Sequence, residues 1–202
     1  MQTMPGDIQA IIFDCDGTLV DSMPLHYSAW RNTLSRYGFV FTEERFYSFA
    51  GQPTWRLVEM LAAEHGATVD VQAVAREKEE DFLQLIHLVK PIDVVVTIAR
   101  QAHRQKKLAV ASGGWRHITR MQLHHAGILE LFETIVTAED TERHKPEPDV
   151  FLEAARRLNV PPSACLVYED ADLGIEAARR AGMQWIDVRA LGVLPTRQSL
   201  AF

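Results

Sequence analysis

At 202 residues the chain is long enough for one full-sized domain, or for one domain carrying a modest insertion. Its 47% apolar and 24% charged residues are ordinary for a globular protein. A formal charge of -6 argues against a nucleic-acid surface, which needs clustered Lys and Arg. No apolar run reaches the roughly eighteen residues needed to span a bilayer, and the opening MQTMPGDIQ is too polar for a signal-peptide core. The expectation is a cytoplasmic protein, monomer or oligomer, with no nucleic-acid or membrane partner.

The first element is a strand. Ala10, Ile11, Ile12 and Phe13 run without polar alternation, the habit of a strand buried on both faces of a parallel sheet. It ends on Asp14 and Asp16 and turns at Gly17, which places two carboxylates at the carboxyl edge of the sheet, where open α/β folds hold ligands. Asp21 or Ser22 is placed to cap a helix in which Tyr27, Trp30 and Leu34 follow helical spacing up to Gly38. From there to about Pro91 only helical patterns occur: EERFYSFAG, PTWRLVEMLAAEHG and VDVQAVAREKEEDFLQLIHLV, closed by glycine or proline.

The sheet pattern resumes after the helix IDVVVTIARQAHRQ, with a strand over Leu108 to Ser112 that runs into Gly113 and Gly114. The helix RHITRMQLHHAG, a strand at Thr134 to Thr137 and a helix from near Pro148 follow. A strand at Leu166 to Tyr168 runs into Glu169 and Asp170, then come the helix LGIEAARRAG and a last strand, WIDV. Five strands separated by helices predict a three-layer, Rossmann-like α/β core with a parallel sheet, because right-handed crossovers place helices on both faces. Residues 1–21 and 92–202 are read as this catalytic core and 22–91 as a small all-helical cap inserted after the first strand. The tail from Gly192 to Phe202, with Pro195, receives no element.

Cys15 and Cys165 lie in apolar strand segments without zinc-ligand spacing. If their strands end together, they sit roughly 13 Å apart along the strand direction, beyond the about 7 Å that a disulfide tolerates between Cα atoms. Both read as free thiols packed as small hydrophobes.

Three strands thus end in reactive types: Asp14 and Asp16, then Ser112, then Glu169 and Asp170, with Lys145 in a loop. Carboxylates gathered on one edge repel one another and any phosphate, so a hard, oxygen-seeking cation is needed, and Mg²⁺ suits a few carboxylates plus phosphate. A calcium loop is the competing reading of the first cluster, but the spacing to a distal Glu is missing. By residue type alone, Ser112 is equally a helix cap, Lys145 a solvated lysine, and the Glu169–Asp170 pair a helix start.

The motifs DCDGTLVDS, VASGG, KPEPD and YEDADLGIEAA, in order over nearly the whole chain, resemble the four signature motifs of the haloacid dehalogenase superfamily of phosphotransferases. The helical insertion resembles the cap of the β-phosphoglucomutase-like branch, and GQPTWR with AREKEEDF is similar to that branch's sugar-phosphate phosphatases of the fructose-1-phosphate type. The resemblance implies that Asp14 is the nucleophile, forming an aspartyl-phosphate, and that Asp16 is the general acid and later the base for water. Ser112 would donate its hydroxyl, and Gly113 a backbone N–H, to phosphoryl oxygens, while Lys145 bridges the phosphate and Asp14. Gly17 would keep the backbone open, with the N–H groups near Cys15 and Asp16 facing the phosphate. Magnesium would be held by Asp14, Asp170 and the carbonyl of Asp16, with Glu169 either a ligand or a support behind the ligands.

The cap must then supply specificity, and its candidates are His26, Gly51, Thr54, Trp55, Arg56 and Lys78. His26 is either a partner of Asp16 or a plain core or helix-surface histidine, and Trp55 is read as cap core. The charges Arg76, Lys78, Glu79 and Glu80 are read as a solvated face, with Lys78 also matching a cap lysine of the family. His124 and His125 are read as surface, and Asp172 as the cap of the helix after Asp170. Two departures from the family stand out. Ala171 occupies a position that is commonly serine, and the phosphate-gripping arginine that mutases carry just after the cap glycine is replaced by Gln52, Pro53 and Thr54, with Arg56 later. The residues and the resemblance together imply a Mg²⁺-dependent phosphatase acting on a small phosphorylated sugar. The alternatives are a hexose-phosphate mutase and a non-catalytic phosphate-binding module.

Overall fold

The computed structural model describes residues 8–192. Residues 1–7, most of the polar opening segment, and the tail from 193 onward lie outside the described residues. Strands β1 (Ala10–Phe13), β2 (Lys107–Ala111), β3 (Thr134–Val136), β4 (Cys165–Glu169) and β5 (Gln184–Asp187) form one sheet in the order β3-β2-β1-β4-β5. Every neighbouring pair is parallel. β1 is central, and the chain first builds to one side of it and then crosses to the other. The gap between β1 and β4 is therefore the topological switch point, where such sheets open a crevice.

The helices α5 (Asp93–Ala102), α6 (Arg116–His125), α7 (Asp149–Leu158) and α8 (Asp172–Arg180) cover the two faces of the sheet. Side chains of β1 alternate between those faces, as a strand's period of two demands. Ile11 and Phe13 pack with Val95, Ala99, Ile118 and Leu123 of α5 and α6. Ala10 and Ile12 pack on the other side with Phe151, Ala154 and Ala177 of α7 and α8. All four β1 residues are buried, so the unbroken apolar run reflects a strand with no solvent face.

Between β1 and β2 the chain forms a helical cap from α1 (Met23–Ser35), α2 (Glu43–Ser48), α3 (Thr54–Glu64) and α4 (Val71–Leu85). The cap has its own core of Trp30, Leu34, Phe46, Leu57, Leu61 and Val74, with Trp55 packed partly against it. Two connections join cap and core side by side. The Asp21 N–H donates to the Lys90 carbonyl at 2.8 Å, the Ile92 N–H donates to the Leu19 carbonyl at 2.9 Å, and Val20 bridges Pro91 in antiparallel fashion.

The structure corrects some local expectations and bears out others. Ser22 stands at the N-cap of α1, but its hydroxyl donates to Asp16 rather than accepting from the helix. Asp172 is the first residue of α8 with Ala171 at the N-cap, and its exposed carboxylate pairs with Arg189 at 2.7 Å. The charge run on α4 is split by the helical period: Arg76 and Glu80 are exposed, whereas Lys78 and Glu79 are 2% and 4% exposed. His124 and His125 are exposed. Cys15 and Cys165 are free and buried, and the register pairs Cys165 with Ala10 rather than with Cys15.

Candidate active site

The end of β1 delivers Asp14 into the switch point, fixed by its own N–H, which donates to the Tyr168 carbonyl of β4 at 3.0 Å. Lys145 reaches the same place from the loop before α7. Its Nζ donates to Asp14 Oδ1 at 2.6 Å, to Glu169 Oε2 at 2.7 Å and to the Ala111 carbonyl at 3.3 Å. All three donor directions of the ammonium are thereby used, which is what a 1% exposed lysine requires. Burial alone would lower the Lys145 pKa, but the charges of Asp14 and Glu169 outweigh it and hold it above the ordinary lysine value.

Glu169 accepts the N–H groups of Asp170 and Ala171 on Oε1, at 3.2 and 3.0 Å. The alanine that replaces the family's usual serine therefore still supports Glu169 through its backbone. Asp170 Oδ1 accepts the Thr18 hydroxyl at 2.9 Å. A Cβ on Gly17 would stand 2.3 Å from Asp170 Oδ2, and the φ of Gly17 is +87°, so both space and backbone require glycine there.

Asp14, Glu169 and Asp170 each offer an oxygen within 4.8 Å of the others. Burial, with the charges of Glu169 and Asp170, pushes the Asp14 pKa well up against the pull of Lys145. Burial and the charge of Glu169 raise Asp170 to about 7. Three carboxylates and one ammonium leave this pocket with excess negative charge, and an all-oxygen donor set of this kind fits a hard divalent cation. The Asp16 carboxylate is not part of this cluster.

Asp16 instead faces the cap. Its Oδ1 takes hydrogen bonds from the Ser22 hydroxyl, from Gln122 Nε2 at 2.9 Å and from the His26 Nε2 position at 3.0 Å. Burial would raise its pKa, but His26 and the hydrogen bonds from Ser22 and Gln122 outweigh burial and hold it well below the usual carboxylate range. His26 stacks on Phe82 at 3.8 Å between ring centroids, and its Nδ1 lies 2.8 Å from Lys78 Nζ. Lys78 also donates to Glu79 Oε1 at 3.2 Å, and Thr54 donates to that same oxygen.

The cleft over Asp14 and Asp16 is walled on the core side by Ser112, Gly113 and Gly114, and on the cap side by Gly51, Thr54, Lys78 and Glu79. Ser112 does not cap α6, which begins after Trp115; its Oγ accepts the Gly114 N–H at 3.0 Å and holds the glycine loop in place. A Cβ on Gly113 would lie 2.3 Å from the Gly51 carbonyl oxygen, so the cap loop rests directly on that core loop. Two cap candidates do not line the cleft: Trp55, which packs partly against the cap core, and Arg56. Arg56 points outward and pairs with Glu59 at 3.0 Å.

Residues 11–188 match the family described as "Haloacid dehalogenase-like hydrolase". The chain belongs to that family. Among haloacid dehalogenase-like proteins, the fructose-1-phosphate phosphatase YqaB of Escherichia coli is 40% identical over 182 residues, 90% of this chain and 96% of its own. Hexitol phosphatase A of the same organism is 33% identical over 190 residues, covering 90% and 83%. The crystal structure of β-phosphoglucomutase from Clostridium difficile superposes with a TM-score of 0.80 at 25% identity, over 92% of this chain and 88% of that one. Within the haloacid dehalogenase-like hydrolases, the chain falls in the β-phosphoglucomutase-like subfamily, and it is an enzyme of the hydrolase class.

Sequence reasoning missed three residues of the site. Gln122 carries a readable signal, because it lies on the inward stripe of α6 with Ile118, Thr119 and Leu123, where a polar residue needs a buried partner. Glu79 was hidden among the charges of its run, and Thr18 had no local signal at all, since its partner Asp170 is 152 residues away.

Proposed function

We propose that this hydrolase is a Mg²⁺-dependent phosphatase of a small sugar monophosphate, of the fructose-1-phosphate kind, working through a phosphoryl-enzyme on Asp14. The observation that carries the reading is the double contact of Lys145 with Asp14 and Glu169 beside the three-carboxylate cluster. It orients one carboxylate oxygen while leaving Asp14 its second oxygen for attack on phosphorus. Asp14, Asp170 and the Asp16 carbonyl would hold the ion, with Glu169 against it. When bound, magnesium neutralises phosphoryl oxygens so that an anionic nucleophile can approach.

The chain's own residues supply the rest. Ser112 and the Gly113 N–H receive the remaining phosphoryl oxygens, and Lys145 stabilises charge as it builds. Asp16 gives a proton to the leaving sugar oxygen and then takes one from the water that cleaves the aspartyl-phosphate. Its lowered pKa keeps it ionised, the form that can take a proton from water. A phosphoryl dianion brought beside it raises that pKa by like charge, which suits the earlier acid role. The cap over the cleft governs which leaving group is admitted and whether water follows.

A mutase needs a cap cation to hold a second phosphate while the sugar turns over. Arg56 faces away from the cleft, and the charge of Lys78 is matched by Glu79, so the cap side carries no surplus positive charge among these residues. Phosphate release from fructose 1-phosphate, measured with Mg²⁺ and with EDTA, tests the proposal. Metal-dependent release without added hexose bisphosphate is expected. Isomer formation stimulated by bisphosphate would move the assignment to a mutase, and no turnover above that of Asp14→Asn would leave only a binding module.

A further inference from the structure

Glu79 is the group in the cleft that the phosphoryl chemistry above does not use. It sits on α4, lines the wall opposite Asp14 and is 4% exposed. Its two oxygens are unlike. Oε1 is saturated, taking the Thr54 hydroxyl and Lys78 Nζ. Oε2 is buried and, among the described residues, has no hydrogen-bond partner. A carboxylate oxygen removed from water without a donor is costly, and proteins rarely keep one without a use for it. The Lys78 and His26 partners also favour the ionised form over the protonated one, against the effect of burial, so Oε2 is an acceptor only.

We propose that Glu79 Oε2 is the specificity determinant of the cleft, accepting a hydrogen bond from a hydroxyl of the sugar leaving group. The proposal deepens the phosphatase reading and rests on it. Phosphate is excluded as the partner of Oε2, because two anions would face each other without an intervening cation. An alkyl leaving group is disfavoured because it would leave the same oxygen buried and unpaired. A site built to pair a hydroxyl discriminates far more strongly against an analogue lacking it than an apolar pocket discriminates by size. Lys78 positions the carboxylate and links it to His26, so the hydroxyl-reading group and Asp16 lie on one hydrogen-bonded chain.

The test compares fructose 1-phosphate with n-hexyl phosphate, both six-carbon primary monoesters. The natural enzyme is expected to favour the sugar in kcat/KM by tenfold or more. Glu79→Gln keeps the shape, but Lys78 and Thr54 both donate, so the amide oxygen stays with them and an NH₂ group takes the place of the acceptor. In that variant kcat/KM for fructose 1-phosphate should fall ten- to a hundredfold, carried mainly by KM, while the value for hexyl phosphate falls at least fivefold less. Equal losses on both substrates would make Glu79 a structural residue, and no loss on the sugar would dismiss it altogether. If the variant does not fold, the substrate pair still decides: a natural enzyme that turns over both esters alike overturns the hydroxyl assignment but leaves the phosphatase intact. A natural enzyme that cleaves neither ester overturns both.

Discussion

His26 on the first cap helix and Asp16 in the loop after β1 meet at 3.0 Å, so the group assigned to proton transfer is held by the element that closes over it. Asp16→Ala should therefore slow turnover by about a hundredfold or more, the usual loss for a general acid or base. His26→Ala should cost less, about tenfold in kcat, and should move the acid limb of the pH–rate profile upward. The sign follows because the lost contact lowers the Asp16 pKa. An acid limb that does not move in the variant would separate His26 from Asp16 function.

Removing Lys145 leaves Asp14 and Glu169 buried without their shared counter-charge. Lys145→Met is expected to cost about 3–5 kcal/mol of stability, as breaking a buried ion pair does. Turnover should also fall below detection. Calorimetry checks the first expectation, and a melting temperature equal to that of the unsubstituted protein would show that the Lys145 contacts with Asp14 and Glu169 do not stabilise the fold.

Asp170 and Asp14, both raised in pKa, share the pH dependence of the metal-free protein. The folded pKa of Asp170, about 7, lies above the ordinary value of 3.8, so the folded state binds more protons than the unfolded one between those limits. Stability should then fall as pH rises from about 4 to about 7, and Mg²⁺ should restore it above that range. Thermal melts across pH, with and without the ion, would reveal the slope. Asp170→Asn should make it shallower without abolishing it, because Asp14 stays raised by burial and Glu169, and should weaken Mg²⁺ binding by about ten- to a hundredfold.

Gly113→Ala tests the contact between cap and core. The added methyl would meet the Gly51 carbonyl oxygen at 2.3 Å, a backbone atom that cannot swing aside, so the cap must lift. Turnover is expected to drop about tenfold or more, as misplacement of a catalytic assembly does, with the melting temperature changed by only a few degrees. Full activity in this variant would mean that catalysis proceeds with the cap raised.

The central strand and the acidic strand ends were legible because burial on both faces erases polar alternation, leaving Ala10–Phe13 and Cys165–Glu169 as apolar runs that end in charge. The all-helical insertion was legible for the same reason in reverse, through apolar residues at helical spacing between glycines. The cap's contribution to the site was harder to read. Arg56 and Lys78 are both cations on cap helices, yet one pairs with Glu59 in solvent and the other turns inward to His26. That difference is set by how α3 and α4 pack, which no local pattern records. Glu79 failed as a sequence reading for a related reason: its neighbours Arg76 and Glu80 do face water, and a single residue step around the helix separates exposed Glu80 from buried Glu79.

The paired crossing at Val20 and Pro91 confines the tether of the cap to two adjacent backbone segments. Four helices are thus spliced in as a cassette whose replacement need not disturb the β1 and β4 ends, where Asp14, Glu169 and Asp170 gather. Diversification of diet can proceed in the inserted unit while the bond-breaking apparatus stays the same.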